Sequence, residues 1–396
     1  MIRTNIHVIT RTKDEMIFDL RNRLRRYARN DVLILILILL TSQFSTAQTA
    51  SSWPSYRGNQ VLSGFTNVQL AENYALVWNF KTGDAIKSSP VIADNLVFIG
   101  SNDGFLYCLD LKGNLQWKFN TETSIEAAPL YFNETIYIGT LSGVVYALHP
   151  KTGKLKWKYT TDGQVSGSAN WVKSKNTNAI LIGSYDFFLH AINAQTGDSI
   201  WKYESDNYIN GAASTNGKVA IFGGCDGFLH LVDVHTGKAK SKIDIGTYIA
   251  SSAAIEDDFA YFGNYDGIFF CANLEKQEVT WKNEEGGVIL GSPAIIGNKV
   301  VIGTQDKNIY CFNKKDGTVL WKAKTLNKVE GSPVIAKDKV VAGSGDGRLY
   351  ILNLETGEIV WDYEIGSPIF STPAIIKDYI IVGAMDGRIY CFQAKS

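Results

Sequence analysis

A turn residue recurs along this chain at a fixed period. It stands as Asp103, Ser142, Asp186, Asp226, Asp266, Asp306, Asp346 and Asp386, 40 residues apart over the last five steps and 39 and 44 apart over the first two. A period of that length means a supersecondary unit that cannot bury its own apolar surface and must stack on copies of itself. Dividing 396 residues into ordinary domains therefore loses its force, because repeat architectures grow by adding units.

One unit reads SSPVIADNLVFIGSNDGFLYCLDLKGNLQWKF (residues 88–119). Short apolar runs bounded by turn residues make four strands, A (SSPVI), B (VFIGS), C (FLYCLD) and D (LQWKF). Asp-Gly between B and C reads as a two-residue hairpin whose glycine accepts φ > 0, and Thr-Gly serves between C and D. Long stretches of helical period are missing, so the expected fold is all-β, an eight-bladed β-propeller of four-stranded blades. The two ends fit a closed ring. The last unit stops after strand C at Phe392, and an unmatched D-type strand, ALVWNF with Trp78, precedes the first A strand. That N-terminal strand is expected to complete the last blade, covering two exposed edges at once. A second tally agrees with eight: Trp78, Trp117, Trp157, Trp201, Trp281, Trp321 and Trp361, with Ser241 where another Trp is due.

The segments ALHPKTGKLKW (147–157), AINAQTGDSIW (191–201) and ILNLETGEIVW (351–361) resemble the tryptophan-docking motif of the pyrroloquinoline-quinone (PQQ) type propeller family, BamB-like propellers among them. The likeness covers about residues 75–394, and WPSYRG (53–58) resembles the arm that precedes many such propellers. For the enzymes of that family the resemblance implies PQQ, a calcium ion, a disulfide between adjacent cysteines, a Trp floor and an acidic base. Cys108, Cys225, Cys271, Cys311 and Cys391 are all far apart, and the repeats carry almost no insertions, so neither catalysis nor a bound cofactor is expected.

Four of the cysteines sit where other repeats have Ala147, Ala191, Leu231 and Ile351, which marks them as small buried hydrophobes. His190 and His230 share a register with Tyr107, Tyr146, Phe270, Tyr310, Tyr350 and Tyr390, so they fill an aromatic position, and no metal site is expected. The Asp series reads as turn chemistry. Variation within the constant frame is more informative. One free position precedes each A strand: Lys87, Glu126, Ser166, Asn210, Ala250, Leu290, Glu330 and Phe370. In a propeller, the loops leading into the innermost strands ring one mouth of the axial channel, and the B–C turns lie outside them on the same face. Tyr185, Tyr208, Tyr248 and Tyr265 concentrate there in blades 3 to 5. The expected binding face is therefore Lys87, Glu126, Asn210, Leu290, Glu330 and Phe370 with these four tyrosines.

Arg21, Arg23, Arg25, Arg26 and Arg29 precede the apolar run Val32 to Leu40 and the small exit Ser45-Thr46-Ala47, so residues 1–47 read as an export signal. Residues 48–74 then form an arm and 75–396 the propeller. Nine apolar residues span about 14 Å as a helix against a bilayer core of ~30 Å, so no membrane span is expected. Residues 48–396 hold 31 basic and 35 acidic side chains, which offers nothing to nucleic acid. The expectation is a monomeric, soluble, periplasmic or extracellular scaffold. Its partner is a protein of the cell envelope or, as the alternative, an extracellular glycan.

Overall fold

The structure, a computed structural model, describes residues 51–173 and 177–395; the export signal expected over residues 1–47 lies outside the described residues. Among the described residues there are eight sheets, each built on four strands running outward from A to D, and one of them gains a fifth, inner strand from the arm. In blade 1 these are Val91–Ala93, Leu96–Gly100, Phe105–Asp110 and Leu115–Asn120. Blades 2 to 7 span residues 130–160, 170–204, 214–244, 254–283, 294–324 and 334–364. Strands B and C are buried almost throughout, as sheets covered on both faces by neighbouring blades must be. Strand D alternates between half-buried and exposed positions because it forms the outer wall. Blade 8 takes A, B and C from Ala374–Ile376, Tyr379–Gly383 and Arg388–Ala394, and its outer strand is Tyr74–Lys81, antiparallel to the chain's last strand with Trp78 opposite Cys391.

Tryptophans rivet one blade to the next. Trp117 Nε1 donates to the Pro150 carbonyl at 2.8 Å, and its ring lies where a Cβ on Gly153 would sit, in the C–D turn of the following blade. Trp78, Trp157, Trp201, Trp281 and Trp321 repeat the arrangement on Gly113, Gly197, Gly237, Gly317 and Gly357. These glycines have positive φ as well, so the turn and the ring contact demand the same residue. Ser241 replaces the Trp of blade 4, and the turn it would cover carries Gln277 (φ 60) in place of Gly. Without the indole above it, that turn tolerates a side chain. Trp361 meets the seam and packs edge-on against Tyr74 and Phe392.

The B–C connection is one residue longer than the two-residue hairpin expected from Asp-Gly. Ser101 N–H bonds the Phe105 carbonyl and Gly104 N–H the Ser101 carbonyl, leaving residues 102–104 as the loop. Only its last residue has φ > 0, as Gly104, Gly143, Gly227, Gly267, Gly347 and Gly387, whereas Phe187 (φ 75) and Lys307 (φ 69) adopt it without being glycine. The turn Asp accepts hydrogen bonds: Asp103 takes Phe105 N–H and the Tyr107 hydroxyl, and Asp346 and Asp386 do likewise.

Residues 53–66 wind once round the axis and bond the inner strands of blades 1 to 7 in order. Trp53 pairs with Ile92, Pro54 C=O accepts from Tyr131, Gln60 bonds Trp171 and Thr215, Val61 accepts from Ile255, Ser63 from Ile295 and Gly64 from Ile335. Phe65–Thr66 then runs parallel to blade 7's inner strand before the chain leaves for blade 8. Arg57 lies fully buried and donates from Nη1 and Nη2 to the carbonyls of Pro333 and Pro293, both at 2.6 Å. Burial pulls its guanidinium pKa down to about 10, still charged at neutral pH. Gly64 is required opposite it, since a Cβ there would sit 1.9 Å from Arg57 Nη2.

Candidate functional site

The eight free positions come together. Lys87, Glu126, Ser166, Asn210, Ala250, Leu290, Glu330 and Phe370 line one cup at the mouth of the axial channel, enclosing about 180 Å³. Its wall is the small residue that follows each of them by two. Ser168, Ser252, Ser292, Ser332 and Ser89 accept, through Oγ, the backbone N–H of Ala128, Ala212, Ser252, Ser292 and Thr372 on the preceding blade, at 2.8–3.0 Å. Five of the eight wall residues are Ser, small enough to let the strands converge and able to take a hydrogen bond, and Ala128, Ala212 and Thr372 complete the wall. The wall thus stays small all round while the free position beside it varies in size and charge. Tyr56, from the arm, forms the floor and bonds Ser292 and Ser332 through its hydroxyl.

The charges at the rim are partnered. Lys87 bonds Glu126 at 2.6 Å, and Glu330 takes both Lys328 (2.7 Å) and Gln305 (2.6 Å). Lys328 also lies 5.5 Å over the Phe370 ring. Such exposed pairs add little stability and mainly fix where the charge stands. Ser166 Oγ is buried and has no hydrogen-bond partner among the described residues.

Outside the cup, each D–A loop hydrogen-bonds the B–C turn beside it, which sets rim residues in neighbouring couples. Around the ring these are Ala85/Asn102, Ser124/Leu141, Gln164/Tyr185, Tyr208/Cys225, Tyr248/Tyr265, Val288/Gln305, Lys328/Gly345 and Pro368/Met385. All the tyrosines fall in the arc of blades 3 to 5. Tyr185 stacks on Tyr208 at 4.8 Å and Tyr248 lies 4.9 Å from Tyr265. Tyr208, Tyr248 and Tyr265 remain 42–45% exposed, and Phe187, 38% exposed, extends the patch beside Tyr208. None of the four tyrosyl hydroxyls bonds a described residue, in contrast to the buried Tyr107, Tyr310, Tyr350 and Tyr390, whose hydroxyls all reach the turn Asp. Tyr56 and Phe187 were not legible as site residues; the signal for Phe187 was an aromatic where six other repeats carry Gly.

Beneath this arc, His190 and His230 link a turn Asp to a tyrosine. His190 Nε2 meets Asp186 at 3.0 Å and Nδ1 meets the Tyr159 hydroxyl at 3.0 Å; His230 joins Asp226 (2.7 Å) and Tyr203 (3.0 Å) in the same way. Burial holds the His190 pKa below its ordinary value, outweighing the opposing pull of Asp186. For Asp186, burial pushes upward, but the hydrogen bond and charge of His190 and two backbone donors leave its pKa net lowered. Among the described residues no group of three or more His, Cys, Asp or Glu is placed to hold a metal ion. All five cysteines are free thiols, Cys225 half-buried at the rim and the rest buried. Burial pushes the thiols of Cys108, Cys271, Cys311 and Cys391 up to about 12.

The family model described as outer membrane protein assembly factor BamB matches residues 50–179, 102–323 and 225–396. The chain belongs to the BamB family of PQQ-like repeat propellers. Among solved structures, BamB from Moraxella catarrhalis superposes with a TM-score of 0.70 at 19% identity, over 82% of this chain and 98% of that one. A europium-containing methanol dehydrogenase superposes at 0.76 with 13% identity over 89% and 100% of the two chains. The quinohemoprotein alcohol dehydrogenase from Comamonas testosteroni gives 0.76 and 13% over 89% and 82%. At these identities the likeness is one of fold. No protein of curated function matches the sequence. Among the described residues no helix is long and apolar enough to cross a membrane.

The dehydrogenase neighbours raise PQQ as a ligand, and the mouth does not fit it. PQQ is a tricarboxylate, whereas Arg57 is committed to two carbonyls beneath the floor, Lys87 is neutralised by Glu126, and Glu126 and Glu330 would repel it. The cup's 180 Å³ also falls short of the ~300–1,000 Å³ usual for enclosed ligand sites.

Proposed function

We propose that this BamB-family propeller is a non-catalytic interaction scaffold that binds a protein partner of the cell envelope through its mouth face, with the tyrosine arc of blades 3 to 5 as the principal contact. The observation that carries this reading is the one-sided distribution of exposed aromatic rings over an otherwise repeated frame. Rings with few rotatable bonds bury large area at small entropic cost, and free hydroxyls add directed hydrogen bonds, which is how Tyr serves at interfaces. The family relation to an outer-membrane assembly factor supports a protein partner, and the mismatch of the cup with PQQ supports a role without catalysis. Export by residues 1–47 belongs to the same proposal.

The test is affinity capture from the native envelope fraction with wild-type bait and with a Tyr208→Ala/Tyr248→Ala bait of unchanged melting temperature. Loss of a specific band with the double variant is expected. Equal recovery would discard the arc, retention of glycans alone would favour a carbohydrate ligand, and turnover of alcohols after adding PQQ and calcium would overthrow the non-enzymatic reading.

A further inference from the structure

Charge is distributed round the mouth as unevenly as the aromatic rings are. In the D–A loops and B–C turns of blades 3 to 5 (residues 160–166, 184–188, 204–210, 224–228, 244–250 and 264–268) there are seven acidic side chains and no Lys or Arg. The same windows of blades 7, 8 and 1 (324–330, 344–348, 364–370, 384–388, 81–87 and 101–105) hold six acidic and six basic ones. There the charges answer one another: Lys328 pairs with Glu330, Arg348 with Glu364 and Arg388 with Asp386. On the tyrosine arc only Asp206 meets a lysine, Lys242, which reaches it from strand D at 2.6 Å. Asp162, Glu204, Asp244 and Asp266 are exposed and form no ion pair among the described residues.

Asp266 is also released from the work that its counterparts do. Asp103, Asp186, Asp226, Asp306, Asp346 and Asp386 each hold the polar tip of the residue four positions on, a Tyr hydroxyl or a His ring nitrogen. Blade 5 has Phe270 there, which offers nothing to hold. The turn itself is capped by Asn264, whose Oδ1 accepts Ile268 N–H at 2.9 Å, the bond that Asp103 makes with Phe105 N–H in blade 1. The Asp266 carboxylate therefore bonds no described residue. It directly follows Tyr265, whose exposed ring lies 4.9 Å from that of Tyr248. A carboxylate without structural duty, next to two exposed rings and within an arc of uncompensated negative charge, suits a cation that is flat enough to stack on an aromatic face. From this we infer that the partner presents an arginine to Tyr248, Tyr265 and Asp266. Guanidinium stacks on rings, forks to a carboxylate and gives up water more readily than ammonium, so lysine is the poorer fit. The inference rests on the mouth-face reading and adds to it the chemistry of the partner's contact.

The full chain is titrated into fluorescently labelled tetra-arginine, tetralysine and tetraglutamate peptides at low salt, and binding is followed by fluorescence anisotropy. Tetra-arginine is expected to bind saturably and about threefold or more tighter than tetralysine, with no binding of tetraglutamate. Asp266→Asn should weaken tetra-arginine binding by about threefold or more, whereas Asp84→Asn, which removes an exposed acid from the opposite arc, should leave it unchanged. Tyr248→Ala/Tyr265→Ala should erase the preference for arginine over lysine. A wild-type chain that does not bind tetra-arginine saturably, equal affinity for the two basic peptides, or equal losses in Asp266→Asn and Asp84→Asn would overturn the inference. None of these results bears on capture by the wild-type and Tyr208→Ala/Tyr248→Ala baits, so the arginine contact and the mouth-face reading fail separately.

Discussion

The two ends of the axis solve opposite problems. Beneath the mouth, the arm satisfies the inner edges of seven blades and buries Arg57 against two of them, so its backbone and Arg57 are tied to the fold. At the mouth, the serine wall does the structural work and the position beside it is released, as are the rim couples outside. The lesson is that in this propeller recognition is written where the frame no longer needs a particular residue. The closed end should therefore answer to mutation in stability and the open end in binding.

The largest expected effect lies at the closed end. Arg57→Ala removes two hydrogen bonds from a charged donor and leaves two buried carbonyls unpartnered, a loss of about 3 kcal/mol or more in chemical denaturation, with capture per folded molecule unchanged. Next, Tyr208→Ala/Tyr248→Ala should weaken partner binding by tenfold or more, about 1.4 kcal/mol or above, while unfolding moves little because both side chains are exposed. A drop in stability as large as that of Arg57→Ala would break the distinction between the ends.

A smaller effect concerns pH. The folded pKa of His190 lies below its ordinary 6.5, so the folded state binds fewer protons than the unfolded chain in that range. Its contribution is complete above pH 6.5 and is lost as pH falls from there through the folded value. Tyr159→Phe/His190→Tyr, which copies the Phe80–Tyr107 pair at the junction of blades 8 and 1, should flatten that limb of the stability profile. The depressed pKa of Asp186 acts lower, its share fading as pH falls below about 3.8; burial pushes that pKa up and the hydrogen bond and charge of His190 lead what pulls it down, so this share should shrink in the variant as well. The smallest effect sharpens the comparison most. Phe187→Gly and Lys307→Gly each relieve a side chain at positive φ and should stabilise by about 0.5–1 kcal/mol. Only Phe187→Gly should weaken partner binding, since Lys307 lies outside the tyrosine arc.

Sequence and structure agree where the repeat speaks. Eight sheets, the Trp rivets and the convergence of Lys87, Glu126, Asn210, Leu290, Glu330 and Phe370 on one cup follow from residues recurring at fixed offsets, each recurrence reporting a shared physical demand. His190 and His230 were legible as occupants of an aromatic position, but their Tyr159 and Tyr203 partners lie about 30 residues away on the preceding blade and show only in space. The arm was opaque for the same reason. WPSYRG occurs once, has no period, and takes its meaning from carbonyls on Pro293 and Pro333 more than 230 residues distant. The extra residue in the B–C loop escaped because Asp-Gly serves both two- and three-residue hairpins, and the alternatives differ only in backbone hydrogen bonding.

The central claim is tested most directly by placing a photo-crosslinking amino acid, one site at a time, around the rim in native cells: at Tyr185, Tyr208, Tyr248 and Tyr265 on one arc and at Asn102, Leu141, Gly345 and Met385 on the other. Crosslinks to one protein from the tyrosine positions, with little or none from the opposite arc, are predicted. Equal crosslinking from both arcs, or from neither, would contradict the account.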